Sequence, residues 1–402
     1  LLYNQGVDRY RAGDLEGAIA AFNQALEIDP KFQYAWNGLG NALYSLGRHS
    51  EAIAAYEKAL EIDPKSQIVW NGLGVTLEDL GRYSEAIAAF EKALEIDPKF
   101  HGAWNGLGAT LKDLGRYSEA IAALEKALEI DPKNDYVWNN LGIALGNLDR
   151  YSEAIAAYKQ ALEINPKYCN AWNGMGATLK DLDRHSEAIA AYEKALEIDP
   201  KFHLAWYNLG NTLKDVGRYK EAIAAFKKVL EIDPKYHHAW YGQGATLNAL
   251  GRYRKAIAAF NKALEIDPKD QYPWNGLGNA LSFLDRKIEA IAAYEKALEI
   301  DPQFHYAWNG LGTALTCLGR YSEAIAAYDK ALEITGDQSW EAWVCRGWVF
   351  FYSGRYSEAI QNWDEGLNKY QPSNCDYRLA CSTLHQQKDE ALRIRQKNRH
   401  LF

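Results

Sequence analysis

Two glycines one residue apart recur in a fixed frame along this chain. They appear as AWNGLG at 35–40, VWNGLG at 69–74, AWNGLG at 103–108, PWNGLG at 273–278 and AWNGLG at 307–312. Such spacing could open a phosphate loop. The dinucleotide fingerprint, however, needs G-x-G-x-x-G leaving a strand and starting a helix. Here Gly38-Leu39-Gly40 runs on into Asn41-Ala42-Leu43 with no third glycine, and no G-x-x-x-x-G-K-S/T is present. The histidines are the next candidates. His101, His203, His237 and His305 occupy equivalent places in different copies of a repeated segment. Packed helices stand about 8–10 Å apart, so these four cannot converge on one metal. The adjacent pair His237-His238 is expected to point to different faces of its helix. Cys169, Cys317, Cys345, Cys375 and Cys381 are odd in number, scattered and free of C-x-x-C spacing, which fits a reducing, cytoplasmic compartment. No nucleophile–base set has a specific arrangement. No catalytic residue, metal site or cofactor is therefore expected, and the chain reads as non-enzymatic.

Composition narrows the field. Of 402 residues, 48% are hydrophobic and 24% charged, with a net charge of −8. A nucleic-acid or membrane-surface binder wants a basic face, so both classes are disfavoured. No apolar run approaches the roughly 18 residues of a membrane span, and no signal-like start is visible. The chain opens at Leu1 and its one methionine is Met175, which fits a fragment of something longer.

The elements that must position these residues follow from a period. Tryptophans at 36, 70, 104, 138, 172, 206, 240, 274 and 308 are each 34 residues apart, as are prolines from 30 to 302. A fixed period in the range 20–50 signals a solenoid. With the tryptophan at position 4, nine full units span 33–338, a truncated one spans 1–32, and a divergent one, displaced by one residue near Ser339, spans 340–373. Within the unit from 33, Trp36, Leu39, Gly40, Leu43 and Leu46 mark one face of a first helix, A. Gly47 suits the helix end, Ser50 an N-cap and Glu51 the first turn of a second helix, B, which Pro64 stops. Ala52, Tyr56, Ala59 and Leu60 form the inward face of helix B.

Trp36, Leu39, Gly40, Ala52, Tyr56, Ala59 and Pro64 match the W-L-G…A…F/Y…A…P pattern of the tetratricopeptide repeat. The resemblance runs over 1–373. Departures are Leu124 at position 24 and a TGDQ end in the unit from 305, where Gly336 can cap the helix. The resemblance implies an all-α, right-handed superhelical solenoid of stacked hairpins, with A helices lining a concave groove. Residues 374–402 are expected to form a degenerate repeat whose basic C-terminal helices cap the stack.

Groove candidates follow. Position 5 is a ladder: Asn37, Asn71, Asn105, Asn139, Asn173, Tyr207, Tyr241, Asn275 and Asn309. An amide both donates and accepts, so the ladder could pair with an extended peptide backbone; it could equally be polar, solvated filler. Position 2 supplies Tyr34, Tyr136, His238, Tyr272 and Tyr306. Position 9 supplies Asn41, Asn211, Asn279 and Thr313, and position 12 supplies Lys112, Lys180 and Lys214 beside aspartates, either as a charge-reading site or as a solvated wall. Gly40 and its equivalents at position 8 are expected to face the small Ala at position 20 of helix B. Gly38 and its equivalents at position 6 are expected to face the groove, so that Gly38→Ala should affect binding and Gly40→Ala stability. Differences between units concentrate at positions 2, 9, 12 and 13, as in a groove that reads a non-repetitive ligand. The family's carboxylate clamp for acidic chaperone tails needs Lys or Arg at positions 2, 5 and 6. None stands there in the full units, which argues against such tails. The expected role is a scaffold binding an extended peptide or protein segment. The alternative is a ligand-sensing region of a larger bacterial signalling protein with an NTPase or caspase-like effector.

Overall fold

The A and B segments form helices where the 34-residue pattern places them. In the computed structural model, residues 1–369, 386–390 and 392–393 are described. Helices alternate A, B along the chain: α1 (Leu2–Arg11), α2 (Leu15–Ile28), α3 (Gln33–Ser45), α4 (His49–Ile62), α5 (Gln67–Asp79), α6 (Tyr83–Ile96), α7 (His101–Asp113), α8 (Tyr117–Ile130), α9 (Asp135–Gly146), α10 (Tyr151–Ile164), α11 (Cys169–Asp181), α12 (His185–Ile198) and α13 (His203–Asp215). They continue as α14 (Tyr219–Ile232), α15 (His237–Ala249), α16 (Tyr253–Ile266), α17 (Gln271–Phe283), α18 (Lys287–Ile300), α19 (His305–Cys317), α20 (Tyr321–Thr335), α21 (Trp340–Tyr352) and α22 (Tyr356–Lys369). No strand occurs among the described residues. The degenerate repeat expected over 374–402 lies almost wholly outside them; only 386–390 and 392–393 are seen, and they are helical.

The chain divides into two units, Leu1–Ala205 and Trp206–Phe402. Inside each, every hairpin packs on its neighbour. Successive A helices touch (α3 on α5, α5 on α7; α15 on α17, α17 on α19), whereas successive B helices do not. Elements on the inner side of a curve lie closer together, so the A helices form the inner layer of each unit.

Each hairpin is held at its turns. At the A-to-B turn Gly47 adopts φ +73°, the left-handed conformation that ends a helix, and Asp149, Asp183 and Asp285 take the same conformation in three units (φ 58°, 57° and 61°). Arg48, not Ser50, is the N-cap of α4, and no side chain caps it; Ser50 already lies inside the helix. Arg48 instead forms a two-pronged pair with Glu51 at 2.6 and 2.7 Å, repeated in most units. At the B-to-A turn Asp63 is extended, as a residue before proline must be. Its Oδ1 accepts from the Lys65 N–H at 3.0 Å, and the Trp70 indole N–H donates to the Pro64 carbonyl at 2.9 Å. The tryptophan that marks the period is thus a clasp on the turn as well as a packing residue. Trp343 repeats the clasp in the divergent unit, onto the Asp337 carbonyl at 3.0 Å. Gly336 ends α20 in the left-handed conformation, as expected.

The glycines have a different role from the one their positions suggested. A Cβ on Gly40 would stand 2.6 Å from the ring of Tyr56, at position 24, and the three atoms nearest to it all belong to that ring, none to the position-20 alanine. A Cβ on Gly38 would stand 2.6 Å from the ring of Phe22, the position-24 residue of the preceding unit. Most B-helix aromatics are therefore clamped between two glycines: Tyr56 between Gly40 and Gly72, Phe90 between Gly74 and Gly106, Phe260 between Gly244 and Gly276; Tyr192 has a glycine, Gly176, on one side only, because the next position 6 is Asn208. Position 6 is a packing position and not an opened groove wall. The clamped rings are fully buried, and burying one contributes about 1.5–3 kcal/mol. At the one unit with Leu124 in place of a ring, the next position 6 is Asn140 instead of glycine. Asn208 stands at the same position after Tyr192.

Candidate functional site

The inner layer carries most of the expected groove residues, but in three distinct states. Position 2 is exposed: Tyr34 is 58% and Tyr306 60% accessible, with Tyr136 and Tyr272 also open. Ile68 and Leu204 join them; as aliphatics they did not stand out beside the tyrosines in the sequence. Aromatics at the end of the B-to-A turn extend this row, with Phe304 edge-on to both Tyr272 (5.2 Å between ring centres) and Tyr306 (5.7 Å). Tyr207 meets Tyr236 in the same way at 5.3 Å, and Tyr241 lies 6.1 Å from Tyr272. Those turn aromatics were missed because they fall outside the helix A pattern.

Position 9 is committed internally. The Tyr56 hydroxyl donates to Asn41 Oδ1 at 2.7 Å, Tyr294 to Asn279 Oδ1 at 2.7 Å, and Tyr328 shares a 3.0 Å bond with Thr313. These residues satisfy buried phenols, so their identity follows the B helix as much as any ligand. Asn211 is half-buried at the same position of α13. At position 12, Lys112 pairs with Asp113 at 3.0 Å and Lys214 with Asp215 at 3.7 Å; Lys180 is half-buried on α11. Glu78 at this position is pushed up to about 7, chiefly by burial and then by the charge of Asp113. Tyr44 nearby is pushed up to about 12 by burial and by its bond to Asp79.

Position 5 is the unusual row. The Oδ1 atoms of Asn37, Asn71, Asn105, Asn139, Asn275 and Asn309 are buried with no hydrogen-bond partner among the described residues. Asn309 uses only its Nδ2, donating to the Ser339 hydroxyl at 3.3 Å. Asn173 is half-buried in the same row, and Tyr207 and Tyr241 replace the amide with rings.

The row opens into a cavity of about 490 Å³ in the Leu1–Ala205 unit, lined by Lys112, Tyr136, Asn139, Asn140, Tyr158, Tyr168, Asn173, Asp181, Phe202 and Leu204 among others. It exists because Gly146 stands at position 12, where other units carry Tyr44, Glu78 or Lys112, and Ala177 at position 9 is small. Asn139 and Asn140 are only 4% and 2% exposed. The Lys112 ammonium donates to Asn140 Oδ1 at 3.4 Å, while Asn140 Nδ2 and Asn139 Oδ1 are each buried without a partner among the described residues. Leaving such groups unpaired costs about 1–3 kcal/mol each.

Models of the tetratricopeptide repeat match residues 136–201, 174–236, 207–271 and 275–339, and a TPR repeat model matches 6–47. The chain belongs to the tetratricopeptide repeat family. A further model, described as the C-terminal domain of cilia and flagella-associated protein 70, matches residues 32–167 of this repeat protein. The repeat array is similar to the crystal structure of yeast Tom70, at 17% identity and a TM-score of 0.50 over 99% of this chain and 96% of that one. It is similar also to the APC/C hetero-tetramer Cut9–Hcn1, at 15% identity and a TM-score of 0.51 over 95% of each chain. At these identities the likeness concerns the fold. One relative, the uncharacterized protein MJ0572 of Methanocaldococcus jannaschii, is 41% identical over 49 residues, 12% of this chain and 57% of that protein. The chain thus spans little more than half that relative's length.

No helix among the described residues is long and apolar enough to cross a membrane. Cys169, Cys317 and Cys345 are free thiols. One histidine expectation needs correction. The rings of His237 and His238 do not part to different faces but lie against each other, 3.8 Å between centres and tilted by 42°, and burial followed by the neighbouring imidazole holds His238 below the usual imidazole range.

Proposed function

We propose that this chain is a non-enzymatic interaction scaffold that takes an extended peptide or protein segment along the inner face of its A helices. The observation that carries the reading is a donor and an acceptor on two residues that line the cavity, Asn140 Nδ2 and Asn139 Oδ1, both buried and both without a partner among the described residues. A peptide group presents the complement of that pair: a carbonyl for the one and an N–H for the other. The other buried position-5 oxygens extend the same offer along the layer. Tyr34, Ile68 and Tyr136, exposed at position 2 of the Leu1–Ala205 unit, supply apolar contact for alternate side chains, the second half of extended-peptide recognition. The fold is one that serves as a scaffold, and the free thiols fit a reducing, cytoplasmic setting. The missing basic residues at positions 2, 5 and 6 speak against acidic chaperone tails as the occupant.

The test begins with a phage-displayed library of random dodecapeptides selected on the full chain. An enriched peptide is then titrated calorimetrically against wild type and against the Asn71→Ala, Asn105→Ala, Asn139→Ala triple variant. At least a tenfold loss of affinity is expected, since each unmade hydrogen bond costs about 1 kcal/mol. Undiminished affinity refutes recognition by the amide row.

A further inference from the structure

A second cluster lies in the Trp206–Phe402 unit. We propose that His237, His238 and Asp270 form a binding site for one divalent transition-metal ion of the zinc class at the joint between two successive repeats. One nitrogen from each imidazole and one carboxylate oxygen of Asp270 lie within 4.8 Å of one another. Two ligands on a tetrahedral zinc ion at 2.0–2.1 Å stand about 3.3 Å apart, so side-chain rotation closes the set without backbone movement. Imidazole nitrogen with carboxylate oxygen is a donor set that suits zinc and its neighbours.

The carboxylate is already oriented. Asp270 is the N-cap of α17, and its Oδ1 accepts from the Tyr272 N–H at 2.9 Å. That bond leaves Oδ2 facing His237 Nε2 at 3.9 Å. Asp267 repeats the arrangement: its Oδ1 is held by the Lys269 N–H at 2.9 Å, and its Oδ2 stands 3.9 Å from the same imidazole nitrogen. Two carboxylates, each fixed by a backbone N–H, thus stand near the same nitrogen of His237. The start of α15 opposes a cation through its dipole; the charges of Asp267 and Asp270 act against that.

The combination is specific to this joint. Positions 1 and 2 are both histidine only at 237–238, and the last position of the unit is aspartate only at 270. Elsewhere a lone His101, His203 or His305 stands at position 1. His238 is exposed, so the ion is reachable from solvent. Three protein ligands leave a fourth position for water or for an incoming carboxylate or imidazole. The ion would tie the first turn of α15 to the cap of α17 and fix the angle between those two A helices. The site stands independently of peptide recognition in the cavity.

The test uses the full chain without an affinity tag, titrated calorimetrically with zinc chloride and spectroscopically with cobalt(II). One ion per chain is expected, with a tetrahedral cobalt absorption band and a zinc-dependent rise in Tm. The variant Asp270→Asn keeps an oxygen for the α17 cap and removes the charged ligand. It and the double variant His237→Ala, His238→Ala should each weaken binding by at least about 100-fold, beyond the loss typical of an outer partner. His101→Ala should bind as wild type does, and circular dichroism confirms that each variant is folded. Absence of saturable binding up to about 1 mM zinc, or unchanged binding in folded Asp270→Asn, overturns the proposal and leaves His237 as an ordinary ion-pair partner of Asp267 and Asp270.

Discussion

Phe90 offers the sharpest test of how this array is built. Its ring is 0% exposed and held on both sides, by Gly74 in its own unit and Gly106 in the next. A Cβ at Gly106 would lie 2.4, 2.5 and 3.0 Å from three ring atoms, and one at Gly74 would lie 2.7 Å away. Carbon atoms prefer about 3.5–4.0 Å, so Gly106→Ala forces an overlap of about 1 Å that the ring cannot relieve by moving toward Gly74. Overpacking of this kind costs up to about 3 kcal/mol. Replacing a helical glycine by alanine returns about 1 kcal/mol. The net expectation is a loss of about 2 kcal/mol for Gly106→Ala in the wild-type chain.

The same change behaves differently once the ring is gone. Phe90→Leu alone loses about 1–2 kcal/mol of packing. In that background the alanine meets no ring and keeps only its helical gain of about 1 kcal/mol. The coupling between the two sites is therefore about 3 kcal/mol, favourable to the double variant. Urea unfolding followed by circular dichroism, fitted with a nearest-neighbour description of the repeats, gives the four stabilities. Additivity within about 0.5 kcal/mol refutes the clamp. The same logic makes Gly38→Ala as costly as Gly40→Ala, because each Cβ would meet a ring at 2.6 Å.

Three further outcomes follow from single features. Asp183→Gly and Asp285→Gly relieve a left-handed backbone (φ 57° and 61°) and should each raise stability by up to about 1 kcal/mol in urea melts; unchanged midpoints would show that the aspartates bear no strain. Glu78, shifted from 4.5 to about 7 mainly by burial, binds a proton in the folded chain that the unfolded chain has released. Its contribution is complete below about pH 4.5 and lost as pH rises through about 7, so Glu78→Gln should match wild type at pH 4.5 and exceed it by about 1 kcal/mol at pH 8 once solvent screening is allowed for. Parallel stability profiles for the two chains would contradict this. Trp104→Phe removes the 2.9 Å indole bond to the Pro98 carbonyl and should cost about 1 kcal/mol, visible as a lower Tm; an unchanged Tm would mean the clasp is dispensable.

How much of this was legible in the sequence depends on whether a residue's role is set inside its own helix. Trp36, Pro64 and the 3.6-residue spacing are local, and they place both helices of every hairpin to within a residue or two. The partner of Gly38 is not local: Phe22 lies in the preceding unit, and nothing in the pattern of one helix says that a ring from another helix rests on its glycine. The same blindness hid the commitment of Asn41 and Asn279 to buried tyrosine hydroxyls, and the convergence of Asp270 on His237 from the next turn along. In each case one helix looked complete while its chemistry was finished by a residue outside it, in the same unit or in the one before. One sequence signal could have exposed the clamp. Reading position 24 of one unit against position 6 of the next pairs Phe22, Tyr56, Phe90, Tyr158, Phe226, Phe260 and Tyr294 with glycine, while Leu124 meets Asn140 and Tyr192 meets Asn208. A repeat protein is therefore better read by comparing each position with the facing position of the next unit than with its own equivalents. The asparagines of position 5, whose buried oxygens find no partner in their own or a facing helix among the described residues, are where that comparison leaves the array incomplete.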